Sequence, residues 1–209
     1  RWEQIKGNYL HVTVGPAGVW AVNNLNRVYR LQNFEWMQLS GRLKQIDAGG
    51  DMFLVGVDSK KNVTQTSCQG VGSMRVQGSL AMVEVGTDGS VFAVDPNGKV
   101  YRSSASNYCW TKMPGKLRQL DAGSGEVYGV SDDDKVFFWH SNRWAQIAGN
   151  YSHVTVGPAG VWAVNRQNFV YRLQDFAWMH VSGLLKQIDA GGDTFLAGVN
   201  AADNIYCLN

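Results

Sequence analysis

Short apolar segments of four to six residues recur along the chain, and none of them continues into a sustained period of 3.6 residues. Turn-forming segments separate them, such as Gly-Pro-Ala-Gly at 15–18, Asp-Pro-Asn-Gly at 95–98 and Gly-Ser-Gly-Glu at 123–126. Glycine supplies a positive φ in a turn, and Asn or Asp side chains hydrogen-bond within their own turn. The pattern therefore predicts short β-strands joined by tight turns, without helices.

The pattern of strands and turns repeats. Residues 2–34 match residues 144–176 at 26 of 33 positions. A glycine recurs at intervals of 34 to 37 residues, and in five of six cases a tryptophan precedes it by five residues. The glycines are Gly7, Gly41, Gly78, Gly115, Gly149 and Gly183, and the tryptophans are Trp2, Trp36, Trp110, Trp144 and Trp178. Six repeats of four strands predict an all-β, six-bladed β-propeller, with a β-sandwich as the alternative.

The phase of the repeat predicts how the ring closes. The chain begins with a fourth-type strand at 2–5 and ends with a third-type strand at 204–207. We expect residues 2–5 to complete the blade formed by 184–208, which leaves no unpaired edge there. The repeats occupy 1–209, so we expect a single domain. Two repeat types alternate: type A begins at Gly7, Gly78 and Gly149, and type B at Gly41, Gly115 and Gly183.

Charge and composition narrow the classes of function. The chain has 19 Lys and Arg against 17 Asp and Glu, a net charge of +2. This balance argues against nucleic acid as a partner, because binding along phosphates needs clustered basic residues. No apolar run approaches 18 residues, so we expect no transmembrane segment. The sequence starts at Arg1 without an apolar leader, so any targeting peptide is expected to be already removed or to lie outside it.

The repeat motif resembles a known family. The residues W-x-Q-I-x-G-x-L-K-Q-I-D-A-G, then W-x-V-N and D-N-I-Y, resemble the tectonin repeat of fish egg lectins and tectonin-type tachylectins. The resemblance covers nearly the whole chain and departs from the motif at Ser73, at 62–64 and at 137–138. It implies a secreted, extracellular, non-enzymatic lectin of egg or innate defence. The implied partners are N-acetylglucosamine-type glycans and bacterial surface lipopolysaccharide. No cofactor is required by this interpretation.

Two sequons help to choose between the faces of the propeller. Asn62 and Asn150 are candidate glycosylation sites in loop classes that emerge on the same face of an up-and-down blade. We therefore expect ligands on the opposite face, where an aromatic ring beside amide or carboxylate groups suits a sugar. The candidate residues are Phe34, Phe176, Asn33, Asp175, Asp51 and Asp193. The alternative is that the two phenylalanines pack under their loops.

Four acidic residues fall on the first strands, which line the channel of a propeller. They are Asp47, Glu84, Asp121 and Asp189. One interpretation is a calcium site, since Ca²⁺ takes several oxygen ligands. The favoured interpretation is that each Asp accepts backbone N–H bonds from the following turn. A metal-dependent enzyme at this channel mouth, or a protein-interaction scaffold, is the alternative to a lectin.

The remaining recurrent residues have mainly structural interpretations. The Trp of each fourth strand, and Trp20 and Trp162, are expected to pack between blades. Trp20 is aligned with Phe53, Phe92, Tyr128 and Phe195, so an aromatic residue is expected in each of these blades. Asn or Asp in the second turns predicts Asx turns. Cys68 and Cys109 lie in the two longer third-to-fourth-strand loops and are expected to form a disulfide, leaving Cys207 over.

Overall fold

The computed structural model describes residues 1–49, 53–67, 73–76, 79–104, 109–191 and 196–208. These residues form twenty-four strands and no helix, arranged as six antiparallel four-stranded blades of a β-propeller. The predicted fold is confirmed. In the part of the chain that is described, no helix is long and apolar enough to cross a membrane.

Each blade runs from an inner strand at the channel to an outer strand at the rim. The rim strand of blade 6 is β1 (Trp2–Asn8). Blade 1 contains β2 (His11–Gly15), β3 (Gly18–Val22), β4 (Arg27–Gln32) and β5 (Glu35–Arg42). Blade 2 contains β6 (Gln45–Asp47), β7 (Phe53–Val57), β8 (Val63–Ser67) and β9 (Ser73–Val76). Blade 3 contains β10 (Met82–Val85), β11 (Ser90–Val94), β12 (Lys99–Ser104) and β13 (Thr111–Lys116).

The second half of the ring repeats this arrangement. Blade 4 contains β14 (Gln119–Gly123), β15 (Glu126–Val130), β16 (Lys135–His140) and β17 (Arg143–Asn150). Blade 5 contains β18 (His153–Gly157), β19 (Gly160–Val164), β20 (Phe169–Gln174) and β21 (Ala177–Leu184). Blade 6 contains β22 (Gln187–Asp189), β23 (Leu196–Val199) and β24 (Asn204–Leu208), completed by β1.

The ring closes as the phase of the repeat predicts. Strand β1 pairs antiparallel with β24, with Trp2 opposite Leu208 and Ile5 opposite Ile205. One blade is therefore built from both ends of the sequence. This pairing leaves the outer edge of β24 covered.

Five of the six recurring glycines lie inside rim strands, at Gly7, Gly41, Gly115, Gly149 and Gly183, and Gly78 lies outside the described residues. At Gly149 φ is +113°, and an added Cβ would lie 2.5 Å from Tyr151 Cε2 and 3.3 Å from Trp178 Cδ1. At Gly183 the added Cβ would lie 2.6 Å from Trp2 Nε1. The glycine therefore leaves room for the tryptophan of the next blade, and this explains why the two residues recur together.

The same tryptophans join neighbouring rim strands by hydrogen bonds. The indole Nε1 of Trp144 donates to Pro114 O at 2.9 Å, and Trp178 Nε1 donates to Ala148 O at 2.9 Å. Trp2 Nε1 donates to Ser182 O at 2.7 Å in the same way. The packing interpretation of these tryptophans is confirmed at these blades.

Replacing one of these indoles tests the contribution of the hydrogen bond. In Trp144→Phe the aromatic ring remains but the bond to Pro114 O is lost. We expect the variant to lose about 1 kcal/mol of unfolding free energy. Thermal unfolding should show a midpoint lower by about 2–4 °C. An unchanged midpoint would mean that water replaces the Pro114 bond at no cost.

The second turns are Asx turns, as predicted. In blade 3, Asp95 Oδ1 accepts from Asn97 N at 2.8 Å and from Lys99 N at 2.9 Å. The same pair of bonds forms in four other blades, and Ser131 accepts from Lys135 N in blade 4. The residues at this position are Asn23, Asp58, Asp95, Ser131, Asn165 and Asn200.

The hydrophobic core consists of clusters between neighbouring blades. Trp20 is 2% exposed and packs against Ile46 and Leu54 of blade 2. Trp162 is 5% exposed and packs against Ile188 of blade 6. Both side chains therefore stabilise blade-to-blade contacts, as expected for structural residues.

The prediction of an aromatic residue at the position of Trp20 is wrong for blades 2 and 6. Asp47 on the inner strand pairs with Val55, and Asp189 pairs with Ala197, where Thr13 pairs with Trp20. The residues equivalent to Trp20 are Val55 and Ala197, each two positions after Phe53 and Phe195 in the sequence. A shift of two keeps a residue on the same face of a strand, so the pattern alone did not expose the error.

A ring of glycines brings the inner strands close together at the channel mouth. The glycines are Gly15, Gly49, Gly123, Gly157 and Gly191. At each of them an added Cβ would lie 1.9–2.2 Å from a backbone carbonyl oxygen of the next blade. At these five blade boundaries there is no room for a side chain between the inner strands.

Candidate functional site

The two sequons share a face, as predicted. Connections between blades bond to second turns on that face: Leu43 N donates to Asn26 O, and Tyr151 N donates to Asp134 O, each at 2.9 Å. Asn62 Nδ2 donates to the Asp58 carboxylate at 2.8 Å, while Asn150 is exposed and accepts from Lys135 Nζ at 2.6 Å. Glycosylation at either asparagine stays a prediction.

The opposite face carries the hairpins between third and fourth strands. Asn33 and Phe34 have φ of 50° and 65°, and Asp175 and Phe176 have φ of 48° and 61°. Two consecutive positive φ values define type I′ turns, which normally use Asn, Asp or Gly. Phe34 is 92% exposed and Phe176 is 75% exposed. The alternative that these rings pack under their loops is therefore wrong.

The turn itself does not require phenylalanine. In blade 4 the equivalent turn is Ser141–Asn142, with φ of 49° and 60°. A bulky residue at positive φ is strained, whereas Asn tolerates that conformation. Phe34 and Phe176 thus combine strain with exposure of a large apolar ring, a combination that folding does not favour.

Phe176 is part of an aromatic group that spans two blades. Its ring centroid lies 6.5 Å from that of Phe138 in blade 4, and Phe138 lies 6.1 Å from His140. Asn33 and Asp175 place an amide and a carboxylate next to the exposed rings in sequence. Asp51 and Asp193, the other predicted ligand residues, lie outside the described residues, so their part in the site stays a prediction.

The channel carboxylates join blades. In each B-type inner strand a Gln and an Asp stand two residues apart, and both bond to the backbone of the next blade. Gln45 Nε2 donates to Val83 O at 2.9 Å, and Gln45 Oε1 accepts from Val83 N at 3.1 Å. Asp47 Oδ2 accepts from Val85 N at 2.6 Å, and Oδ1 accepts from Gly49 N at 3.2 Å. The expected turn cap is present at Asp47.

The aspartates of blades 4 and 6 also accept hydrogen bonds from the backbone of the next blade. Asp121 Oδ2 accepts from Val156 N at 2.7 Å, and Asp189 Oδ2 accepts from Val14 N at 2.9 Å. The sequence suggested the local cap but not this bond across the blade boundary. The fourth carboxylate, Glu84, accepts from Gln45 Nε2 at 2.9 Å.

Burial dominates the electrostatics of these four groups. It raises the pKa of Asp47 to about 7, with repulsion from Asp121 as the second cause. Burial likewise raises the pKa values of Glu84 and Asp189 well above their usual range, and that of Asp121 as well. Carboxyl groups that hold protons near neutral pH are weak ligands for calcium.

The channel mouth is also small. The cavity lined by Asp47, Asp121 and Asp189 has a volume of about 20 Å³. This volume accommodates a water molecule but no organic substrate. Among the described residues, no three His, Cys, Asp or Glu side chains are arranged to hold a metal ion. The geometry favours the cap over a calcium site and over an enzyme at this mouth.

Two histidines lie beside the carboxylate ring. His11 Nε2 is 2.9 Å from Ile46 O, and His153 Nε2 is 2.8 Å from Ile188 O, each on the following blade. Burial lowers the pKa of both imidazoles to about 4. They are therefore neutral donors at physiological pH, and each joins its blade to the next.

The cysteines do not test the predicted disulfide. Cys68 lies outside the described residues, and Cys109 is exposed on blade 3. Cys207 is buried between blades 6 and 1, where burial and the nearby Glu3 raise its thiol pKa to about 11. A thiol with this pKa is a poor nucleophile. The bond between Cys68 and Cys109 stays a prediction.

A groove between blades 3 and 4 was missed by the sequence reasoning. It is a cavity of about 580 Å³ whose walls include Arg102, Ser103, Thr111, Lys112 and Trp139. A smaller side chain widens it at one position: Thr111 lies opposite Arg102, where Met37 and Met179 occupy the equivalent positions of blades 1 and 5. The signal available in the sequence was Thr111 at a position where the two similar repeats have methionine.

Solved structures of low sequence identity share the fold. Prp20p from Saccharomyces cerevisiae aligns with a TM-score of 0.68 and 9% identity, over 95% of this chain and 71% of that chain. Human WBSCR16 aligns with a TM-score of 0.69 and 12% identity, over 95% of this chain and 71% of that chain. At these identities the likeness concerns the fold alone.

Sequence relatives cover part of the chain. A fish-egg lectin from Cyprinus carpio is 46% identical over 93 residues, which span 44% of this chain and 39% of the carp protein. Tectonin-1 from Physarum polycephalum is 33% identical over 55 residues, 26% of this chain and 25% of that protein. The tectonin domain model matches residues 1–65, 59–118 and 116–209. Together these segments span the sequence, and the chain belongs to the tectonin family.

Proposed function

We propose that the protein is a multivalent carbohydrate-binding protein of the lectin type, without catalytic activity. The exposure of Phe34 and Phe176 on strained turns carries this proposal. A flat aromatic ring offers a surface for the apolar face of a pyranose, and the adjacent Asn33 or Asp175 offers partners for its hydroxyls. Membership of the tectonin family and the likeness to a fish-egg lectin support it.

The finer proposal concerns ligand and location. N-acetylated sugars such as N-acetylglucosamine, displayed on bacterial lipopolysaccharide or similar glycans, are the proposed ligands. The proposed setting is extracellular, after secretion, in egg or innate defence. Two similar sites on blades 1 and 5 would engage one surface at once, so weak single sites add up to a strong attachment.

A substitution that keeps the turn tests the two phenylalanines. In Phe34→Asn with Phe176→Asn, both turns acquire the residue that blade 4 uses at Asn142. Relief of strain should leave stability unchanged or raise it by roughly 0.5–1 kcal/mol. Binding to a surface coated densely with N-acetylglucosamine should fall by about a hundredfold, because both sites are lost together.

The control is Phe169→Ala, which removes an exposed phenylalanine that follows a second turn on the sequon face. Surface plasmon resonance on the coated surface and thermal unfolding should be measured for all variants. Undiminished sugar binding by the double Asn variant would refute the site. A loss of binding in Phe169→Ala as well would point to a nonspecific apolar effect.

A further inference from the structure

The A-type blades share a stacked arginine that the proposed function does not use. The guanidinium carbon lies over the aromatic ring of the second strand, at 5.2 Å for Arg30 and Trp20 and 5.4 Å for Arg172 and Trp162. Arg102 lies 5.6 Å from the ring of Phe92 in blade 3. Stacking holds the guanidinium in place. In blade 3, Arg102 Nη2 also donates to Ser90 Oγ at 3.3 Å.

At blade 3 an open groove lies beside this arginine. Arg102 and Lys112 both line the 580 Å³ cavity, and no acidic residue is among its lining residues. Within the described residues no carboxylate forms an ion pair with either cation. Two cations in one concave site attract an anion and are suited to hydrogen-bond it.

A buried hydroxyl adds a second observation. Ser103 lines the same cavity and is 9% exposed, and its Oγ has no hydrogen-bond partner among the described residues. A buried polar group without a partner is unfavourable. A polar group of a molecule bound in the groove would supply the missing hydrogen bond.

The inner end of the groove carries acidic side chains, whereas the outer part carries basic ones. An adjoining cavity of about 100 Å³ shares Arg102 and Trp139 with the outer one and is also lined by Asp88 and Glu126. Carboxylates accept hydrogen bonds from hydroxyl groups, whereas they repel an anion. The site is therefore cationic outside, acidic inside, and has an indole ring common to both parts.

We propose that this groove binds a saccharide bearing a sulfate or carboxylate group. The acidic substituent lies at Arg102 and Lys112, the sugar ring contacts Trp139, and the ring hydroxyls donate to Asp88 or Glu126. This site deepens the proposed carbohydrate-binding function by naming a charged ligand class, but it uses residues other than Phe34 and Phe176.

The test compares a charged sugar with its neutral parent by isothermal titration calorimetry at low salt. N-acetylglucosamine 6-sulfate should bind about tenfold more tightly than N-acetylglucosamine, and added salt should reduce that preference. In Arg102→Gln with Lys112→Gln the preference should disappear. The matched control, Arg172→Gln, removes the equivalent stacked arginine of blade 5 and should keep it.

Each remaining outcome is decisive. An unchanged preference in the double variant overturns the site, as does an equal loss in Arg172→Gln. Inorganic sulfate that competes as well as the sulfated sugar overturns the saccharide part and leaves an anion site. Binding of the sulfated sugar alone, with no neutral sugar bound by any variant, supports this groove while refuting the site at Phe34 and Phe176.

Discussion

Substitution of Gly123 by alanine should destabilise the ring by about 3 kcal/mol or more, because overpacking against backbone is poorly tolerated. The added Cβ would lie 2.2 Å from Val156 O on the inner strand of blade 5. That strand has little freedom to retreat, since Val156 N and Thr155 Oγ1 both donate to Asp121 Oδ2, at 2.7 and 2.6 Å. Relieving the clash therefore breaks bonds that join the blades.

The comparison is Gly125→Ala, two residues away in the same turn. Gly125 has a φ of +78° but no atom within 4 Å of an added Cβ, so only backbone strain of about 1 kcal/mol is expected. Urea unfolding of both variants separates the two costs. Equal losses would show that the inner strands move apart easily, contrary to the close contact seen here.

Stability should depend on pH through two groups of side chains with opposite signs. His11 and His153 have a pKa of about 4 in the folded protein, below the usual value of 6.5. The unfolded chain then binds more protons between those values, so each histidine removes about 3 kcal/mol of stability as pH falls from 6.5 to 4.

The carboxylates act in the other direction. Asp47 has a pKa of about 7 against 3.8 normally, so the folded protein binds the extra proton in that range. Its contribution favours folding at low pH and is lost as pH rises from about 4 through 7. Glu84, Asp121 and Asp189, whose pKa values are also raised, have the same sign. Above pH 6.5 the histidines contribute little while Asp47 still titrates, so the protein should be less stable at pH 8 than at pH 6.5.

Substitutions in the two groups should change the pH dependence of the unfolding free energy in opposite directions. His11→Met with His153→Met places at both sites the residue that blade 3 has at Met82, and its stability should rise as pH falls from 7 to 4.5. Asp47→Asn lacks one of the carboxyl groups that favour folding in acid, so its stability should fall relative to that of the unaltered protein as pH decreases from 7 to 4.5. Urea unfolding at intervals across this range measures both slopes. Parallel curves for all three proteins would show that these groups do not control the pH response.

Sequence reasoning succeeded where the physics is local or repeated. Asn or Asp in a second turn bonds to its own backbone, so Asp95 and its equivalents were predictable from turn chemistry alone. The propeller and the closing strand followed from the period and its phase. Both inferences need only the order of residues along the chain.

Contacts between blades were harder to foresee. The role of Gly149 depends on Trp178 of the next blade, and the second bond of Asp47 depends on Val85. The groove at Arg102 was missed because its width comes from Thr111 and its far wall from Trp139 on another blade. Such sites become visible only when the ring brings residues of different repeats together.

The alternation of blade types constrains how such a ring can gain or lose parts. Gln45 and Asp47 of a B-type blade clamp the inner strand of the A-type blade that follows, and His11 of an A-type blade bonds to the next B-type blade. Deleting or duplicating one blade would place two like blades side by side and leave one boundary without its clamp. Gene duplication and protein engineering should therefore work in pairs of blades, and a symmetric version of this protein would be encoded by three copies of one two-blade unit.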